Sequence, residues 1–253
     1  MQNRISARLL GCLVMAATLQ TAVLGSELQA GAKPAPSTAS PQAAASVDAP
    51  EQPREPGASA DETQIPTLVR KLSDADPNVR AASVRSLGEL GPKAVAAVPS
   101  LVRALEDDGV PDVGDPVWIL AARALGKAGP EAVPQLIEAL RSPNRHVMKG
   151  AAAALSEIGP AAKEAVEPLM AALEKDDPDT RITLMYGLMG IGPEAKAAVP
   201  LLIQFLDHED FHARYWACQA LGGIGPAAAP AVPVLCRLTA EGPVSVRRHA
   251  AAA

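Results

Sequence analysis

From residue 65 onward the apolar positions fall in short helical stripes, and each stripe is closed by a polar or Gly-Pro break. The segment Ile65–Ala97, IPTLVRKLSDADPNVRAASVRSLGELGPKAVAA, contains two such stripes. Near-copies of it open at Val98, Val133, Val166, Val199 and Val232, at intervals of 33, 35, 33, 33 and 33 residues. A fixed period of this size marks a stacked-repeat chain in which each unit is one supersecondary element.

The unit predicts two helices. The first opens at an apolar residue beside proline (Ile65-Pro66, Val98-Pro99, Val133-Pro134, Val199-Pro200, Val232-Pro233), and in the fourth unit the proline stands at Pro168. Proline suits a first helical turn, whose N–H groups have no intrahelical acceptor. Leucines follow at 68, 101, 136, 169, 202 and 235, and again four residues on at 72, 105, 140, 173 and 206. After a polar loop, Asp76, Asn144, Asp177 and Asp210 stand where a second helix needs an N-cap oxygen. The second helix stops at Gly-Pro, with glycines at 91, 129, 159, 192 and 225. Glycine accepts the left-handed turn and proline prevents continuation. Four residues before each glycine stands a leucine (Leu87, Leu125, Leu155, Leu188, Leu221), preceded by a small residue (Ser86, Ala124, Ala154, Gly187, Ala220) that lets a neighbouring helix come close.

A single pair of this kind cannot bury both its faces, but a stack can, and its stability is then a sum of local terms. The expected fold is all-α: an α-solenoid, a right-handed superhelix of helix pairs with five full repeats and an unfinished sixth. In that sixth unit VRRHAAAA aligns with VRAASVRS of the first, so Ala253 falls one place before the leucine slot. Another molecule covering that uncapped end is one expectation; fraying, or a longer natural chain, is the other. The second unit is irregular: Val98 to Gly129 is 31 residues where the other complete units have 26. The extra residues lie in Glu106–Pro116, EDDGVPDVGDP, which reads as a solvated acidic loop because its spacing is not that of a calcium loop.

Ahead of the repeats, Arg4 and Arg8 precede an apolar run from Leu9 to Leu24, so residues 1–25 read as an export signal. Cleavage is expected after Val23-Leu24-Gly25 or after Ala30-Gly31-Ala32; Cys12 precedes most of the apolar run, unlike a lipoprotein cysteine. Residues 26–62, with six prolines among Ala, Ser, Gln and Glu, read as a disordered linker, and residues 63–253 as the repeat domain. The expected location is the periplasm or the exterior, with membrane tethering if the leader stays on, and no transmembrane span once it is removed. Net charge is −5, and loss of Arg4 and Arg8 makes it more negative. That balance argues against nucleic acid, whose binding needs clustered cations.

The array resembles the short HEAT-like repeats of phycobilisome-lyase-type proteins over residues 63–253. The resemblance lies in the first-helix proline, the Asp loop, the arginine slot (Arg80, Arg181, Arg214, Arg247) and the alanine-rich run into Leu-Gly at Leu87-Gly88, Leu125-Gly126 and Leu221-Gly222. It implies that Asp76/Arg80, Asp177/Arg181 and Asp210/Arg214 belong to a structural, inter-repeat ladder, interrupted where the slot holds Trp118 and Met148. Ankyrin and tetratricopeptide repeats share the period range, but their signatures are missing. Deoxyhypusine hydroxylase is a HEAT-like enzyme with paired His-Glu motifs holding two irons. The corresponding positions here are Ala81-Ala82, Ile119-Leu120, Lys149-Gly150, Ile182-Thr183, Tyr215-Trp216 and Arg248-His249, and not one is His-Glu.

His208–His212, HEDFH, matches the H-E-x-x-H pattern that binds zinc when both histidines share one helix face. The repeat register places Asp210 at a helix start and His208 in the loop, so we expect no metal, no cofactor and no catalytic residue. Cys218 and Cys236 either pair or remain free thiols, and His146 and His249 are expected in solvent. What remains is a surface. Outward slots of the second helices hold Arg85, Arg123, Ile182, Tyr186, Tyr215 and Gln219. These six are the candidate protein-binding residues, since Tyr and Arg are favoured anchors; the alternative is that the aromatic ones fill gaps between repeats. The expected function is an exported, non-catalytic scaffold binding another protein or peptide along its concave side. An enzyme, or enzyme subunit, of the HEAT-like lyase or hydroxylase type is the alternative.

Overall fold

The computed structural model describes residues 60–241. The expected leader, nearly all of the linker, and Arg247, Arg248 and His249 lie outside the described residues. The chain divides into two units, Met1–Pro53 and Arg54–Ala253, and every described residue belongs to the second.

The described residues form helices and connecting turns, with no strand among them. The first unit is α1 (Ala60–Lys71) and α2 (Pro77–Leu90), and the second is α3 (Val98–Arg103) and α4 (Val117–Ala128). The third is α5 (Val133–Ala139) and α6 (Arg145–Ile158), the fourth α7 (Val166–Leu173) and α8 (Arg181–Ile191). The fifth is α9 (Val199–Phe205) and α10 (Phe211–Ile224), and α11 (Val232–Glu241) opens a sixth. Five helical hairpins and the start of another are the expected α-solenoid.

The Gly-Pro stops behave as expected: Gly91, Gly129, Gly159, Gly192 and Gly225 all have φ between 56° and 90°. After each, the chain makes a tight 3-10 stretch that leads directly into the next first helix: Gly91–Ala97, Pro130–Ala132, Gly159–Ala165, Gly192–Ala198 and Gly225–Ala231. In a 3-10 turn residues three apart lie on one side. The alanine pairs Ala94/Ala97, Ala162/Ala165, Ala195/Ala198 and Ala228/Ala231 are buried there. The leucine slots are the core: Leu87, Leu101, Leu105, Leu125, Leu136, Leu140, Leu155, Leu169, Leu173 and Leu188 are fully buried. Leu68 and Leu72 of the first unit are only half-buried, as the end of a stack requires.

Successive second helices (α2, α4, α6, α8, α10) touch extensively, whereas successive first helices meet little. The second helices are therefore the closely spaced layer, as on the inner side of a curve. Small residues permit this. A Cβ on Gly88 would stand 3.2 Å from the Ala124 Cβ, and one on Gly187 would stand 3.2 Å from the Ala152 carbonyl oxygen. At Gly190 it would meet Ser156 backbone at 2.4 Å, and at Gly223 the Met189 backbone at 2.8 Å. The stretch Phe211–Ala240 is apolar and long enough to cross a membrane, but it is folded at Gly225 into α10, a 3-10 turn and α11.

Three expectations need correction. Helix α1 begins at Ala60, inside the expected linker, and Pro66 is in its interior rather than its first turn. No Gly-Pro stop precedes this unit, so the helix extends backwards. In the fourth unit α8 starts only at Arg181, with Thr180 as an N-cap whose hydroxyl takes no helix N–H and instead donates to the Asp177 carbonyl at 3.5 Å. Asp177 instead accepts from the Asp179 N–H in a separate turn, next to Asp176 at φ 48°.

The third correction concerns the partners in that inter-repeat ladder: each arginine takes partners other than the aspartate four residues before it. Arg80 grips Asp107 of the next unit at 2.6 and 2.9 Å, and donates to the Asp74 and Ala75 carbonyls of its own loop. Arg181 stands 3.3 Å from Asp176 of its own loop and 3.7 Å from Asp210 of the next unit. Arg214 donates to the His208 and Glu209 carbonyls. Asp76 and Asp210 act as N-caps, accepting from the Asn78 and His212 N–H groups. Where Met148 interrupts the slot, Arg145 takes over by reaching Asp177 and Asp179 of the next unit. Where Trp118 interrupts it, the indole stacks on His146, 5.1 Å between centroids and 9° between planes. His146 is thus half-buried against a ring, not free in solvent.

Candidate functional site

The candidate residues all lie on the second-helix layer: Arg85 on α2, Arg123 on α4, Ile182 and Tyr186 on α8, Tyr215 and Gln219 on α10. Arg85, Arg123, Tyr186 and Gln219 occupy one slot of the repeat and make a column across the layer, with Ala153 in the third unit. Ile182 and Tyr215 occupy the slot of Ala81 and Ile119, which are buried at 0 % and 8 % exposure. Of the six, Arg85 is exposed and the other five are half-buried.

At the α8–α10 end the aromatic residues touch one another. Tyr186 and Trp216 meet edge to face at 6.0 Å, Tyr215 and Trp216 at 5.4 Å, and Phe211 tilts against Tyr215 at 6.4 Å. Edge-to-face contact is the arrangement ring quadrupoles prefer. Burial pushes the Tyr186 phenol above its ordinary pKa, while its hydrogen bond with Ser156 pulls the other way. This phenol is a neutral hydrogen-bonding group at any ordinary pH.

At the α2–α4 end the candidates are engaged with the acidic insert, residues 106–116. Arg85 donates to the Val113 carbonyl at 3.3 Å, and Arg123 pairs with Asp115 at 2.7 Å. Asn78 donates to Asp112, and its side-chain oxygen accepts from the Asp112 N–H. The insert remains largely in solvent, with Val110 and Val113 exposed, but it is tied to α2 and α4 by these contacts and buries Pro111. Burial pushes the Asp107 carboxyl up, but hydrogen bonds from Arg80 and the Gly109 N–H outweigh this and hold it below its ordinary pKa. The sequence spacing carried no sign of this placement except the five added residues themselves. The glycines are the overlooked signal. A Cβ on Gly109 would come within 2.3 Å of the Arg80 guanidinium, and one on Gly114, at φ 110°, within 2.7 Å of the Arg85 guanidinium.

HEDFH does not form a one-helix pair. His208 precedes α10; its Nδ1 accepts from the Asp210 N–H at 2.9 Å, and its Nε2 stands 3.1 Å from Asp176 and 3.0 Å from Arg181. His212 lies in the first turn of α10, edge-on to Phe211. Both ring nitrogens of His208 are already committed to protein partners. No group of three or more potential metal ligands occurs among the described residues. Cys218 is buried and Cys236 exposed, both as free thiols.

Comparison with known proteins follows the architecture. A family model for HEAT repeats matches residues 54–115, 115–189 and 166–253. The alpha subunit of phycocyanobilin lyase from Nostoc sp. (strain PCC 7120) is 40% identical over 90 residues, which are 34% of this chain and 33% of that one. The chain thus matches about a third of that relative's length. Among solved structures, the complex of CpcE and CpcF of phycocyanin lyase from Nostoc sp. PCC7120 superposes with a TM-score of 0.50 at 28% identity. That match covers 80% of this chain and 79% of that one. A designed armadillo repeat protein superposes with a TM-score of 0.46 at 18% identity, over 74% of this chain and 97% of that one.

Proposed function

The chain belongs to the HEAT-repeat family, and on that premise we propose that it is an exported, non-catalytic scaffold that binds another protein or a peptide along its second-helix layer. The observation that supports this is the layer itself. Five helices lie side by side, and one column of slots crosses them from arginine at α2 and α4 to aromatic and amide residues at α8 and α10. The half-buried cluster Tyr186, Tyr215 and Trp216 offers rigid rings with polar tips, which bind at little entropic cost.

The test places a photo-crosslinking residue at Gln219 on this layer and, as control, at the exposed Glu167 on α7. A discrete adduct with an envelope protein should form at 219 and not at 167, and Tyr186→Ala with Tyr215→Ala should remove it. Equal adducts at both positions, or an adduct indifferent to the double substitution, would end this reading. For export, N-terminal sequencing of the mature protein should begin near residue 26 or 33.

A second reading, subunit of a bilin lyase, is favoured by the likeness to the phycocyanobilin lyase subunit. Mixing the purified protein with phycocyanobilin separates the two. A stoichiometric bound bilin with a shifted absorption band supports the lyase reading, and an unchanged spectrum supports the scaffold.

A further inference from the structure

We propose that the partner of the second-helix layer is an extended acidic peptide segment, and that residues 110–115 of the chain's own insert occupy its seat on α2 and α4. The proposal rests on the reading of that layer as a binding face. It turns on a division of labour within the insert.

The first half of the insert is structural. Helix α4 has no side-chain N-cap, so its first N–H groups need other acceptors. The Gly109 carbonyl accepts from the Val117 N–H at 2.9 Å, and the Asp107 carbonyl from the Trp118 N–H at 3.1 Å. The Asp107 carboxylate meanwhile holds Arg80, both side chains being less than one-fifth exposed.

The second half caps nothing. Its Asp112 backbone and carboxylate are read by the two ends of the Asn78 amide at 3.0 and 3.2 Å. The Val113 carbonyl is read by Arg85, and the Asp115 carboxylate by Arg123. A bound peptide is held in the same way: main-chain groups taken by amide and guanidinium side chains, and carboxylates by arginines. Gly114 is what lets the segment lie this low, because a side chain there would run into the Arg85 guanidinium from a strained backbone.

The segment is also weakly held. Val110 and Val113 are 61 % and 81 % exposed, so Pro111 is the one apolar side chain that the segment buries. Its contacts with Asn78 and Arg85 are exposed, each a small contribution, and the Arg123–Asp115 pair alone is partly sheltered, at 26 % and 25 % exposure. A ligand with carboxylates spaced like Asp112 and Asp115, and apolar residues that do find contacts, would displace it. Arg85 and Arg123 would then present two guanidinium groups in one column, one repeat apart, with exposed Lys127 one turn beyond Arg123.

The experiment uses the full chain with Asp112→Ala and Asp115→Ala, which frees the seat and leaves Asp107 and Gly109 in place. The probe is a fluorescein-labelled peptide with the sequence of residues 109–116, GVPDVGDP. Its binding, read by anisotropy, should be about tenfold tighter to the variant than to the parent, the scale of one charge-assisted hydrogen bond. It should weaken with added salt, weaken about tenfold when both peptide aspartates are asparagine, and vanish when Arg123→Glu is added. Gly114→Val provides an independent route: it keeps every carboxylate, crowds the segment off Arg85, and should raise peptide affinity in the same direction. Equal binding to parent and both variants, equal binding of the asparagine peptide, or preference for an oligonucleotide of the same charge would overturn the proposal. If the peptide fails while the crosslink at 219 persists, only the acidic ligand is wrong. If both fail, the layer is not a binding face.

Discussion

Individual residues in this stack are constrained most where backbones approach. At Gly190 an added methyl would overlap the Ser156 backbone, whereas at Gly225 nothing lies within 4 Å and only the positive φ resists substitution. Gly190→Ala should therefore cost about 1–3 kcal/mol through overpacking, and Gly225→Ala about 1–2 kcal/mol through backbone strain alone. Urea denaturation of the two variants should rank them in that order. The cysteines give a second contrast. Burial pushes the Cys218 thiol up to about 11, while Cys236 is exposed. Iodoacetamide at pH 8 should label Cys236 and spare Cys218, as read by peptide mass spectrometry. Because the folded value is above the ordinary one of 9.0, the stability contributed by a neutral Cys218 is complete below pH 9 and is lost as pH rises towards 11. A Cys218→Ala variant should show a smaller alkaline decline in melting temperature across that window.

At the scale of elements, each helical hairpin is set by local chemistry that the chain displays openly. Asp76, Asn144 and Asp210 cap their helices as their position in the repeat implies. Asp76→Ala should lower stability by about 1 kcal/mol in a thermal or urea melt. The exceptions lie where tertiary contacts compete with local preference. Asp177 stands in the same slot, yet its carboxylate is shared between a turn and Arg145 of the preceding unit, and α8 starts late. The insert follows the same logic at larger size, since its carbonyls replace the missing cap of α4. Its anchor responds to acid. Asp107 has a folded pKa below its ordinary 3.8, so the stability it contributes is complete above about that pH and is lost as pH falls through the folded value. Hydrogen exchange at the Val117 and Trp118 amides should accelerate, relative to other helix starts, once the pH drops below about 3.8, and Asp107→Asn should abolish the pH dependence.

For the whole molecule, five hairpins contribute largely independent increments joined by neighbour contacts. Excising Val166–Ala198 removes one complete period, so the shorter protein should remain folded with unchanged helicity per residue by circular dichroism. Leu155→Ala, at a fully buried position in the middle of the stack, should cost about 2–5 kcal/mol by leaving a cavity. The sequence by itself determined the unit, its two helices, the Gly-Pro stops, the leucine core and the family likeness, because each depends on residues near one another in the chain and recurs five times. Only the tertiary structure decided which unit each arginine reaches, that Trp118 covers His146, and that the insert folds back over Arg85 and Arg123. Those outcomes depend on distances between neighbouring repeats, set by how closely glycine and alanine let the second helices pack, and a single unit read alone contains no such distance.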